Sequence, residues 1–444
     1  MKARTIITAI LVGAAIGVVS VMFIGNPSPN DMPNLSPRGA QGTAASEYVN
    51  AQKAVAYYRE EINRKPNVAR NYIELAQIYI QEARVTALHH EYFPKAERLL
   101  DKALSLDPND FTALSTKASM YATLHHFDEA LVLARRALSL NPYHSGTYAV
   151  LIDALVEMGE YASAVRYCDS LLALRPDLRS YARASYLREI HGDHVRARQA
   201  MMMASEAGVH GQENRAWTLY TIGKLYLQEG SLDTAEWIFK GILEERPHYA
   251  FALSGIAHVR FFQQKYDEAA SLLQQAWNTT PKHTFLEQLA TVYRAAGKPQ
   301  DAEKTIQLVL KEFTDHEKEG WNVDRKYAAF CLEQNINLPQ ALERAEREYR
   351  SRPNNIDVLD TYAWALFRTG RANDAVPIIE RALRMGTRNA TMKYHAAQIY
   401  NAVGELHKAA ALLRESLTIN PYVRVQHAPE VDTLLNRLQS MAQR

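Results

Sequence analysis

From about Ser46 to the C-terminus, apolar residues recur at helical spacing, and no run alternates in the manner of a strand. Ala, Leu, Glu, Arg and Gln dominate, so the pattern predicts helices throughout. The stretch from Leu219 to Pro247, LYTIGKLYLQEGSLDTAEWIFKGILEERP, reads as two short helices around a glycine-containing turn, closed by a proline. Its skeleton returns as LATVYRAAGKPQDAEKTIQLVL from Leu289, YAWALFRTGRANDAVPIIERAL from Tyr362 and HAAQIYNAVGELHKAAALLRESLTINP from His395.

The prolines give the period. Pro108, Pro142 and Pro176 are spaced by 34, Pro247 and Pro281 are again 34 apart, and Pro353 and Pro421 are 68 apart. The step from Pro66 to Pro108 is 42, one period plus eight residues. A fixed spacing of this size marks a solenoid of stacked units. On these residues the chain resembles the tetratricopeptide repeat family over most of 47–421. The unit from Ala216 supplies Leu219, Ile222, Gly223, Tyr226, Ala235, Phe239 and Pro247. The unit from Phe111 supplies Leu114, Ala118, Tyr121, Ala130, Ala137 and Pro142. The unit from Ile356 supplies Leu359, Tyr362, Ala363, Leu366, Ala375 and Ala382, with Thr387 where the proline is expected. Departures are largest in 177–215 and 316–353.

The resemblance implies an all-α fold, a right-handed superhelical solenoid of about ten helix-turn-helix units. Small residues such as Gly223, Ala235 and Ala302 belong where paired helices touch. Tyr226, Tyr293 and Tyr400 fill the space between pairs. Gly159, Gly192, Gly230, Gly297, Gly370 and Gly404 sit after first helices, where a left-handed C-cap favours glycine. Repeats in such a stack contact only their neighbours, so an elongated array that loses stability gradually on terminal deletion is expected. EYVNAQKAVAYYREEINRKP is the expected N-terminal cap, and residues 422–444 the C-terminal one.

The N-terminus has a different texture. Residues 1–5 are basic, and Ile6 to Ile24 form an uncharged run of 19 residues. As a helix that run is about 28 Å long, close to a bilayer core. It exceeds the usual core of a cleaved signal peptide, and no A-x-A site follows it. Lys2 and Arg4 then place the N-terminus in the cytoplasm, with residues 6–24 as a signal-anchor. The repeats are expected on the extracytoplasmic side of the cytoplasmic membrane, which is the periplasm in a Gram-negative cell. Residues 25–46, with Pro27, Pro29, Pro33 and Pro37, read as a flexible or part-extended tether that buries no core.

Charge and chemistry narrow the function. Lys and Arg total 51 against 49 Asp and Glu, which gives no electrostatic case for nucleic acid. The repeats leave no room for a separate catalytic domain, and no G-x-x-x-x-G-K-[ST], G-x-S-x-G or H-E-x-x-H occurs. A non-enzyme without cofactor or metal is therefore expected. Cys168 and Cys331, five units apart, are expected to stay unpaired. His89, His90, His125, His126, His191 and His194 lie near turns and read as solvated. A metal- or small-ligand-handling protein that uses them is the alternative function.

Resemblance to the family implies that first helices line the concave face. Its groove stripe would carry Tyr186, Trp217, Tyr220, Lys224, Leu227, Phe251, His258, Phe261, Lys326, Phe330, Trp364, Phe367 and Tyr394, with Phe262 and Arg368 beside it. Lys224 and Lys326 have no matching Asn, so the family's Lys/Asn carboxylate clamp is absent. The expected function is a membrane-tethered scaffold that binds a protein or peptide in this groove, mainly through apolar contact.

Overall fold

The computed structural model describes residues 32–37, 45–86 and 88–442. Among these are 23 helices and no strand, an all-α solenoid. The span expected at 6–24 lies outside the described residues. Among the described residues, no helix is long and apolar enough to cross a membrane.

Helix α1 (Ala45–Arg64) precedes ten helix pairs. The first pair is α2 (Ala69–Thr86) with α3 (His89–Leu106), and the last is α20 (Ala390–Ala402) with α21 (Leu406–Ile419). Helices α22 (Val423–Gln426) and α23 (Ala428–Ala442) follow. The chain divides into two compact units: Met1–Thr123 with Glu129–Thr147, and Leu124–Asp128 with Tyr148–Arg444.

In the smaller unit, the eight extra residues before Pro108 are spent on length. They lengthen both α2 and α3 to 18 residues. Residues 32–37 depart from the expected tether, because Met32 and Leu35 are each only 4% exposed and pack into this unit. Tyr79 donates its hydroxyl to the Pro33 carbonyl at 2.7 Å, and the Ser36 amide donates to the Tyr92 hydroxyl at 2.8 Å.

In the larger unit, close helix contact depends on missing side chains. The Phe239 ring lies against both Gly223 and Gly255, and a Cβ at either position would overlap it. Ala235 and Ala302 are buried at equivalent places on second helices. The departure from the repeat at 316–353 has a simple cause. Helix α15 (Pro299–Lys318) runs 20 residues, and the following α16 (Asp324–Glu333) only ten, so the repeat register slips there.

The turns within pairs share one closure. The Gly159 amide bonds Val156 O at 2.9 Å and the Glu160 amide bonds Leu155 O at 2.8 Å, with Gly159 left-handed at φ +75°. Gln264 (φ +60°) and Asn335 (φ +52°) close their turns the same way, and His125 is also left-handed at φ +65°. Searching for glycine alone misses these three.

These turns do a second job that the repeat pattern hides. Within the larger unit, four of them touch a segment almost 200 residues later. The Asn322 amide donates to Leu124 O at 3.0 Å, and His125 Nδ1 donates back to Asn322 O at 2.8 Å. Asn355 Nδ2 donates to Glu157 O at 2.9 Å, Arg352 pairs with Glu157 at 2.6 Å, and the Ile356 amide donates to the Tyr161 hydroxyl. Gly192 faces Gly386 O so closely that a Cβ would overlap it. Asn420 Nδ2 donates to Leu227 O at 3.2 Å, and Tyr422 stacks on Phe262 at 5.1 Å. The larger unit is thus stitched along a seam, and the expectation that repeats contact only their neighbours is corrected there.

The seam is also where buried charge collects. Arg352 and Glu348 are both buried and paired, and Arg352 reaches across to Glu157. Burial raises the Glu157 carboxyl, and Arg352 opposes that shift. His125 is pushed down to about 3, mainly by burial, with the Lys326 cation adding to the effect.

Two predictions follow from the seam. Alanine at Gly159 or at Gly404 forces a left-handed non-glycine residue, at about 1–2 kcal/mol each. A Cβ on Gly159 also overlaps the Asn354 backbone, whereas one on Gly404 meets nothing within 4 Å. Gly159→Ala should therefore lower the melting temperature well beyond Gly404→Ala; equal losses would remove the seam as a stabilising contact. The second concerns pH. His125 is held neutral in the fold, so its contribution is complete above the unfolded value of about 6.5 and is lost as pH falls from there toward 3. That amounts to about 2 kcal/mol at pH 5. His125→Asn, which tolerates the left-handed turn, should flatten the fall in melting temperature between pH 7 and pH 5.

Candidate functional site

The first helices of successive pairs in the larger unit bring one face each to a common interior. The stripe on α18 (Ile356–Arg368) is Asp357, Asp360, Thr361 and Trp364, positions i, i+3, i+4 and i+7 of a helix. Helix α16 contributes Arg325, Lys326 and Phe330. Helix α12 (Ala250–Phe262) adds His258 and Phe261, and α14 (His283–Ala295) adds Glu287, Gln288 and Thr291. With His395 from α20, these residues line an open-sided cavity of about 490 Å³.

Of the groove residues read from the sequence, His258, Phe261, Lys326, Phe330 and Trp364 line this cavity. Tyr186, Trp217, Tyr220, Lys224, Phe251, Phe367 and Tyr394 do not. Phe261 and Phe330 are 5% exposed, Trp364 6% and Tyr394 1%, so their rings are largely committed to packing between pairs. Trp364 stacks on His395 at 4.1 Å and on Phe367 at 4.9 Å, and the Arg368 guanidinium lies 5.4 Å from its ring. Tyr394 stacks on His427 at 4.5 Å. Tyr220 and Phe251 form a ring pair at 5.4 Å, with the Lys224 ammonium over Tyr220 and that of Lys282 over Phe251. Trp217 and Tyr186 stay 41% exposed. Although exposed, the Tyr186 phenol is crowded by protein, which pushes its pKa well up, and Asp357 and Glu157 reinforce the shift.

Charge is the part of this site that the aromatic stripe overlooked. Arg325, Glu287, Asp357 and Asp360 line the cavity, and Lys282 and Glu189 interact electrostatically with its charges from outside the lining. Burial lowers the ammonium pKa of Lys326, with Glu287 opposing, and lowers that of Lys282. Burial raises the carboxyls of Asp357, opposed by Arg325, and of Glu189, opposed by Lys224. His258 is pushed down to about 4 by burial, with Lys224 adding to the effect. Some members are directly bonded. His395 meets Asp360 at 3.0 Å, and His283 meets Glu287 at 2.7 Å. Others act on one another only through space, as Arg325 and Asp357 do. Such groups are partly stripped of water without a partner in contact, and a polar ligand that bonds them recovers that loss. The signal is present in the sequence: Asp357, Asp360 and Trp364 share one face of α18, and a search for aromatic rings passes over the two carboxylates.

Of the turn histidines, His90 and His191 are exposed as expected, whereas others are held by the fold. His194 is buried against Glu229 at 3.1 Å, and His126 donates to Gly320 O at 2.6 Å. Among the described residues, no group of three or more His, Cys, Asp or Glu could hold a metal ion. Cys168 and Cys331 are buried free thiols, each pushed up to about 11 by burial, and they are poor nucleophiles in that state.

Comparison with known proteins bears on the repeat. A tetratricopeptide repeat model matches residues 122–188 and 261–324, and a second matches 363–423. Cellulose synthase operon protein C of Pseudomonas fluorescens is 23% identical over 171 residues, which is 36% of this chain and 13% of that protein. Anaphase-promoting complex subunit 3 of Schizosaccharomyces pombe is 21% identical over 285 residues, 56% of this chain and 41% of that one. The chain spans less than half the length of either relative. Among solved structures it is similar to the APC/C hetero-tetramer Cut9-Hcn1, at 14% identity, 88% and 94% coverage and a TM-score of 0.38. It is also similar to yeast Tom70, at 13% identity, 88% and 96% coverage and a TM-score of 0.34. The helix pairs within 122–188, 261–324 and 363–423 are tetratricopeptide repeats.

Proposed function

We propose that this chain is a non-catalytic scaffold that holds a polypeptide segment along the interior face of its larger unit. The observation that carries the reading is the set of desolvated charges lining the cavity, Arg325, Lys326 and Asp357, with exposed Tyr186 and Trp217 on other first helices of the same unit. A polypeptide supplies what such a face lacks: amides and carbonyls for unpartnered polar groups, and apolar side chains for rings that bind at low entropy cost. Mixed charge at the site means that recognition is polar as well as apolar, and added salt weakens it. The bonded turn histidines favour this reading over a metal-handling protein.

The tether is part of the same proposal. Residues 6–24 hold the chain in a cytoplasmic membrane as a single N-in span, and the repeats lie on the extracytoplasmic side. The uncharged run after Lys2 and Arg4 supports this. Protease added outside intact inner-membrane vesicles of right-side-out orientation should digest the repeats. Full protection of the repeats would reverse the topology.

The groove is tested by separating binding from packing. Tyr186→Ala with Trp217→Ala should reduce cross-linked partner recovery about tenfold while the melting temperature moves by no more than a few degrees. Phe261→Ala should behave differently, because truncating a buried phenylalanine costs about 3–5 kcal/mol. Its main effect should be a lower melting temperature. A Tyr186/Trp217 variant that stays folded and keeps every partner places binding on another surface.

A further inference from the structure

The smaller unit carries a contact that the repeat architecture does not require. Residues 32–37, MPNLSP, have no regular secondary structure, yet α1, α2 and α3 read them closely. Most of that reading is of backbone. Tyr79 donates to Pro33 O at 2.7 Å, Gln52 Nε2 donates to Leu35 O at 2.9 Å, and the Ser36 amide donates to the Tyr92 hydroxyl at 2.8 Å. Two side chains are anchors: Met32 and Leu35 are buried three residues apart, the period of a polyproline-type helix. Two more give selectivity. Ser36 Oγ donates to Glu91 at 2.9 and 3.1 Å, and Arg59 donates to Asn34 Oδ1 at 2.6 Å. The floor is the stacked pair Tyr79 and Tyr92, 5.7 Å apart. Backbone bonds for affinity, with pockets for spaced side chains, is how a groove recognises a peptide.

We propose that α1–α3 form a second recognition groove, separate from the interior of the larger unit. Its ligand is an extended segment with apolar residues at positions one and four, asparagine at three and serine at five, and residues 32–37 are that ligand bound in cis. The occupied groove is a closed state, opened when a partner segment of the same pattern replaces the strap. The strap is joined to α1 by residues 38–44 alone, so its effective concentration at the groove is on the order of millimolar. A free peptide of equal intrinsic affinity is therefore excluded from the native chain and admitted once the strap is disabled.

The probe is a fluorescein-labelled peptide of residues 30–40, with anisotropy measured against the full chain. Met32→Asp with Leu35→Asp in the chain disables the strap. The peptide should bind this variant at least tenfold more tightly than the native chain, and Leu35→Ala alone should give an intermediate affinity. Adding Tyr79→Phe to the double variant should weaken the peptide, because Pro33 O loses its donor. Equal affinity for native and variant chains would overturn the proposal, since the peptide would then bind elsewhere. So would a double variant that keeps its helical signal and binds no peptide. Loss of the helical signal in the Leu35→Ala chain would overturn it as well, by making the strap a structural part of the unit.

Discussion

The architecture of the larger unit depends on one backbone requirement. After each first helix the chain must turn through a left-handed residue, and at four places that residue or its neighbours must also let a distant backbone approach. Glycine satisfies both demands at 159 and 192. His125 satisfies the first by taking the left-handed conformation and the second by bonding Asn322 on the approaching segment. Gly297, Gly370 and Gly404 have the same conformation and no close neighbour. One turn motif therefore serves as a C-cap everywhere and as a landing site where the superhelix returns on itself.

The return shapes the electrostatics of the interior. Charged side chains on the first helices face other protein as well as solvent. Glu157 belongs to the seam through Arg352, and its charge also acts on Tyr186 and Arg325. The stabilising contact and the candidate site thus share groups. Truncating Arg352 would leave two carboxylates, Glu157 and Glu348, short of their countercharge, which costs about 3–5 kcal/mol when such a pair is buried.

The repeat was legible because it is written in local rules. A proline period of 34, glycines after first helices and small residues at helix contacts each follow from the geometry of one pair. Gly223 against Phe239 is where that reading meets the structure most directly. What was illegible is not local. Nothing near Gly159 in sequence announces Asn354, and Leu124 and Asn322 meet across almost 200 residues. The groove reading found Lys326 and His258 but took Trp364 and Tyr394 as free rings. Their partners His395 and His427 lie about 30 residues further on, one unit away. Asp357 and Asp360 share the face of Trp364 and were passed over because the reading selected rings, while Arg325 stands beside Lys326 in a region where a long helix followed by a short one shifts the count. Residues 32–37 were misread for a related reason: composition says that a proline-rich segment has no core of its own, and says nothing of whether it borrows one.

The seam has a consequence for biogenesis. A helix pair can form as soon as its own residues and those of its neighbour are available. A seam joint cannot form until about 195 further residues have left the ribosome. At common rates of synthesis, about 5–20 residues per second, that is a delay of roughly 10–40 seconds. For that interval the interior is open along one side, and its charges face water. The mature interior is thus a late product of synthesis, and it is accessible in two distinct ways: during growth of the chain, through an open side, and afterwards, lengthwise.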